Sequence, residues 1–138
     1  MYKGPLELIK SVNKTRYYRM QAGIIYMDSP EELQKIPVTV EDVKTINLVL
    51  EELYLEENRP LKLLIDLSQV GQIAKETREY MRSKEAKKYS PYIQATALIT
   101  HNQLSKMLGN FVLGTLQREE HTKLFTNGEK AVEWLKQL

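Results

Sequence analysis

The chain has no cysteine. That absence excludes disulfides, thiolate metal sites and cysteine nucleophiles together, and leaves redox chemistry silent about compartment. Histidine is scarce as well: only His101 and His121 occur, without metal-ligand spacing to each other or to nearby carboxylates, so no zinc or iron site is expected. No sign of charge dominates. The 20 basic and 18 acidic residues leave a net charge of +2 scattered along the whole length, which gives no broad field of the kind that governs nucleic-acid binding. Long hydrophobic runs are missing too; the longest uncharged apolar stretch, Met107–Gln117, is about half the roughly 20 residues a membrane-spanning helix needs. The opening MYKGPLELIKSV places Lys3, Pro5, Glu7 and Lys10 where a signal peptide needs an unbroken apolar core, so a soluble cytoplasmic protein is expected. Neither a G-x-x-x-x-G-K-[ST] nor a G-x-G-x-x-G run is present, and nucleotide cofactors therefore have no support.

What the chain does have is a composition of 42% hydrophobic and 28% charged residues over 138 positions, enough to bury one core and consistent with a single domain over 1–138. Repeats, low-complexity tracts and linkers rich in Gly, Pro or Ser are lacking. Thr15–Met20 and Gly23–Met27 are β-favouring runs rich in Tyr and Ile, joined as a hairpin by a short connection. DSPEELQKIP (Asp28–Pro37) reads as irregular structure. Thr39 followed by Asp42 is a capping-box start, and Val43, Ile46, Leu50, Leu53 and Tyr54 recur at helical spacing until Asn58-Arg59-Pro60 stops them. Leu61–Leu67 and Tyr92–Thr100 are nearly continuous apolar strands, as in a parallel sheet covered on both faces. A charged helix is expected over Ile73–Tyr89, a helix with a broad apolar face over Gln103–Gln117, a short strand over Lys123–Phe125, and a final helix over Glu129–Leu138 striped by Ala131, Trp134, Leu135 and Leu138. The order is ββαβαβαβα: a mixed, mainly parallel five-stranded α/β sheet with flanking helices.

Three stretches carry a family likeness: LLIDLSQVGQIAKETREYM, ALITHNQLSKMLGNFVL and TKLFTNGEKAVEWLKQL. Within them SKMLGNF (Ser105–Phe111) and the ending Leu124-Phe125, Ala131, Trp134-Leu135 are the most specific pieces, and from about Thr15 onward the chain resembles the small bacterial SpoIIAA-like proteins of the STAS and CRAL-TRIO-like group. The resemblance implies a STAS-like fold and, by analogy with better-known relatives, a regulator that binds other proteins. One departure is plain. The phosphorylated relatives carry Asp-Ser-Ser-Gly or Asp-Ser-Thr-Gly at a helix start, whereas this chain has Ala74-Lys75-Glu76-Thr77, without the serine pair or the glycine. Thr77 is the only nearby hydroxyl, and Glu76 reads as an acid that stabilises the first turn.

If the later strands are parallel, Asp66 and Ser68, Thr100, His101 and Asn102, and Thr126–Gly128 emerge at one carboxyl edge, where open α/β sheets bind ligands. Asp66, Ser68, Thr100, His101, Asn102 and Ser105 are therefore the candidate rim for a ligand or partner; as helix caps and turn residues they have an equally ordinary role. His101 and Ser105 lie one helical turn apart, but no glycine-flanked nucleophile elbow or oxyanion hole accompanies them, so no catalytic residues are assigned. Gly109 and Gly114 fall within a helix pattern, where they permit close packing. REYMRSKEAKKY (Arg78–Tyr89) reads as a solvated helix face. Leu104, Met107, Leu108, Phe111 and Val112 occupy more than one stripe and are the candidate apolar interface or pocket. The function expected is a non-enzymatic regulatory or protein-interaction domain without cofactor or metal, its partner another protein or a second copy in a homodimer. The alternative is a module binding a small apolar or amphipathic ligand; nucleic acid and a membrane span are not expected.

Overall fold

Strand follows strand at the start of the chain before the first helix forms. The computed structural model describes residues 5–30, 36–102, 106–107, 109–110 and 121–138. Among the described residues six strands make one sheet in chain order: β1 (Glu7–Val12), β2 (Thr15–Arg19), β3 (Ile24–Asp28), β4 (Leu61–Asp66), β5 (Ile93–Ile99) and β6 (Thr122–Phe125). β1–β2 and β2–β3 pair antiparallel; β3–β4, β4–β5 and β5–β6 pair parallel. The expected strands are all present, and the expected count of five is corrected to six by β1. That strand sits at the sheet margin with Leu8 56% exposed and its register shifts between Leu8 and Lys10, so its sequence carries little of the alternation by which strands are recognised.

Helix α1 (Val40–Glu57) begins where the capping box predicts: the Thr39 hydroxyl accepts from the Asp42 N–H, and the Asp42 carboxylate accepts from the Thr39 N–H at 2.8 Å. It ends at Asn58, whose left-handed backbone (φ 57°) lets its N–H donate to the Tyr54 carbonyl. The single charged helix expected over Ile73–Tyr89 is instead two, α2 (Lys75–Met81) and α3 (Lys84–Lys87). Ser83 makes the break, its hydroxyl donating to the Tyr80 carbonyl and accepting from the Ala86 N–H, so one side chain ends the first helix and caps the second. Ile73 precedes both in a parallel bridge with Val38. Lys106, Met107, Gly109 and Asn110 are helical, and α4 (Gly128–Lys136) closes the chain, capped by Asn127, which accepts from the Lys130 N–H at 3.1 Å.

Strand parity divides the core into two layers. Leu61 and Leu63 of β4 meet Tyr17, Ile25, Met27, Val49, Leu50 and Leu53 on the α1 side. Leu64 meets Ile24, Tyr26, Ala95, Ala97, Ile99, Ala131, Val132 and Leu135 on the α4 side. Trp134 is only half-buried and packs on Phe125 with ring centroids 5.7 Å apart, so the fully buried members of its helix are Ala131 and Leu135, while Leu138 is 46% exposed.

Candidate functional site

Because β4, β5 and β6 run parallel with Asp66 level with Ile99 and Ile99 level with Phe125, the segments that follow them leave the sheet at one edge. The edge is tied together by main chain: the Leu67 N–H donates to the Ile99 carbonyl and the Thr100 N–H to the Phe125 carbonyl. Asp66 lies on the α4 face of β4 and is 4% exposed. Its Oδ1 accepts from the Ser68 N–H at 2.9 Å and from the Ser68 hydroxyl at 2.6 Å, an Asx-type turn that ends the strand. Its Oδ2 accepts from the Tyr26 hydroxyl of β3 at 3.2 Å. Burial, reinforced by this carboxylate, holds the Tyr26 hydroxyl protonated well above the usual tyrosine range. His101 approaches the same carboxylate, with Nε2 3.9 Å from Oδ1, close enough to pair when the imidazole is protonated.

The candidate rim thus separates into two kinds of residue. Asp66, Ser68 and His101 form one cluster; Thr100 is 3% exposed and points a methyl group at Gly109. A Cβ added at Gly109 would stand 2.8 Å from Leu124 Cδ2 and 3.1 Å from Thr100 Cγ2, which is the close approach expected of that glycine. Asn102 is exposed, and its carbonyl accepts from the Lys106 N–H at 2.9 Å, as at a helix start. Met107, from the candidate apolar set, is 61% exposed. Ser105, Leu104, Leu108, Phe111 and Val112 lie outside the described residues, as does Gly114. Thr77 is fully buried and its hydroxyl donates to the Val38 carbonyl at 2.8 Å, a structural bond that closes α2 against the chain before α1. Tyr26 is the member of the cluster that sequence reasoning missed; a hydroxyl-bearing ring on an otherwise apolar run, Ile24-Ile25-Tyr26-Met27, was the available signal.

A second feature lies away from this edge. Between α1, the α2–α3 corner and the starts of β5 and β6 is a cavity of about 130 Å³, walled by Val43, Met81, Ala86 and Ile93 and floored by Thr96 and Thr122. No group of three or more His, Asp or Glu among the described residues could hold a metal ion, and no described helix is long and apolar enough to cross a membrane.

The architecture has a solved counterpart. A protein of the DUF3478 family with a SpoIIAA-like fold, from Shewanella loihica PV-4, matches with a TM-score of 0.61 over 98% of each chain at 16% sequence identity. That likeness establishes the SpoIIAA-like fold the sequence led us to expect, and at this identity it establishes the fold alone. No curated protein matches the chain. Over residues 18–138 the sequence matches the family described as Domain of unknown function (DUF7793), and the chain belongs to that family.

Proposed function

We propose that this protein is a non-enzymatic interaction domain that engages another protein through the carboxyl edge of its sheet. The observation that supports this reading is how polar groups are divided at that edge. Asp66, the group that would have to do chemistry, is turned inward and takes hydrogen bonds from Tyr26 and Ser68, so its role is to lock the strand end. His101, Asn102, Lys106 and Met107 are by contrast exposed along the next stretch of chain. An exposed methionine flanked by hydrogen-bonding side chains suits a protein contact, with apolar area at the centre and polar groups around it.

The test is a photo-crosslinking residue at Met107, with the same residue at exposed Lys136 of α4 as control, in the cell that makes the protein. A discrete adduct from position 107 and none from 136 is expected, and an adduct at twice the monomer mass would identify the partner as a second copy. Equal yields from both positions, or no adduct at either, would remove the carboxyl edge as the contact surface.

A further inference from the structure

The outward line of α1 carries leucine where a solvated helix carries charge. Leu48 and Leu55, about two turns apart along the helix, are 56% and 69% exposed, on the side away from the buried Leu50 and Leu53. The two flanks of this line differ. On one, Glu51 accepts from the Tyr92 hydroxyl at 3.0 Å, and Tyr92 packs in turn on Tyr54 and Tyr89, with ring centroids 4.7 and 5.9 Å apart. All three rings are half-buried, so each keeps part of its area at the surface. Lys88 stands over the Tyr89 ring with Nζ 5.5 Å from its centroid, and exposed Lys84 and Lys87 continue the basic side along α3. These three lysines have no ion pair among the described residues. On the other flank Lys10 of β1 pairs with Glu52 and also lies in the field of exposed Glu56, so negative charge remains in excess there.

The surface thus runs in order from base, through aromatic ring and leucine, to acid. That order selects the occupant. A uniformly basic or acidic partner would meet like charge at one flank, and a nucleic-acid strand stacked on the tyrosines would bring its phosphates against Glu51. A second copy turned about a two-fold axis meets opposite charge at both flanks and lays its leucines on the tyrosines. We infer that this face is a homodimer interface, in which Leu48 and Leu55 of each copy cover the tyrosine cluster of the other, and Lys84 and Lys88 of each oppose the other's Glu56. The end of α1 and the turn Ser90–Tyr92 lead into the starts of β4 and β5, the end of the sheet opposite the carboxyl edge. The dimer leaves that edge open, and it stands or falls independently of the contact proposed there.

Sedimentation velocity of the purified chain over a range of concentrations should show a monomer–dimer equilibrium, several-fold weaker when salt is raised from about 0.05 M to about 0.5 M. Replacing both exposed leucines, Leu48→Gln with Leu55→Gln, should leave the circular dichroism unchanged and weaken association by more than about tenfold. Charge reversal tests the two-fold arrangement itself. Glu56→Lys in one chain, and Lys84→Glu with Lys88→Glu in another, should each weaken self-association, because every copy then meets its own charge. An equal mixture of the two variants should associate at least as well as the parent, since both flanks of the mixed dimer again pair opposite charges. A parent that stays monomeric at all concentrations would overturn the inference, as would a dimer that keeps its affinity in the folded leucine variant, or charge-reversed chains that associate no better mixed than alone.

Discussion

A carboxylate removed from water needs donors, and at the residue scale Asp66 shows where they come from. Ser68 supplies two of them from the same turn, which is why Asp66-Leu67-Ser68 could be singled out in the sequence. The third comes from Tyr26, forty positions earlier in the chain, and reaches Asp66 only because β3 and β4 are parallel neighbours. Local spacing encodes the first pair; the contact with Tyr26 depends on sheet order, which local spacing does not contain. The energetic expectation follows from the asymmetry between making and orphaning a buried hydrogen bond. Asp66→Ala should destabilise by about 1–3 kcal/mol, since it removes the carboxylate that accepts hydrogen bonds from Tyr26 and Ser68. Tyr26→Phe, which removes a bond to a charged group, should cost about 1.5–3 kcal/mol. Urea unfolding of the two single variants and the double variant should show strong coupling, the second substitution adding much less than it does alone. Strict additivity would mean that the 3.2 Å contact between them contributes nothing.

At the element scale, legibility tracked how much of each signal is local. The start of α1 was readable because a capping box is a four-residue device, and its end because Asn tolerates the left-handed conformation found at Asn58. The break between α2 and α3 was not, since a serine among Arg82, Lys84 and Glu85 looks like one more polar residue of a solvated helix until its hydroxyl is seen to serve both ends. The α1 cap also reaches beyond its own element. Lys14, in the turn between β1 and β2, donates to Asp42 Oδ2 at 2.8 Å and ties the hairpin to the helix start. Burial alone would raise the Asp42 carboxyl, but the Lys14 hydrogen bond, those with Thr39 and the Lys14 charge together hold it below the usual carboxylate range. A depressed carboxylate stabilises the folded state fully above the unfolded-state value, near pH 4, and loses that contribution as pH falls through the folded one. Lys14→Met should therefore lower stability at neutral pH and flatten its decline below about pH 4, where the parent begins to lose the interaction. Identical acid limbs for parent and variant in pH-dependent urea unfolding would show that Lys14 leaves Asp42 unaffected.

At the scale of the whole molecule the sheet is a partition, with α1 on one face and α4 on the other. Leu53 and Leu135 are both 0% exposed, and they belong to different core layers. Truncating either to alanine removes comparable apolar volume and should cost about 2–5 kcal/mol, a large share of the roughly 5–15 kcal/mol by which domains are stable. The two losses should add, because residues without shared neighbours couple weakly and the strands between them are fixed by main-chain pairing on both sides. Trp134 makes the contrast that tests this reasoning. It is the largest side chain of α4, yet half-buried, so Trp134→Ala should cost less than Leu135→Ala, an order set by burial and opposite to that of side-chain size. Measured by thermal and urea unfolding, a Trp134→Ala loss exceeding that of Leu135→Ala would place the weight of the α4 layer at the Phe125–Trp134 contact, and with it move the support of β6 from the sheet interior to its rim.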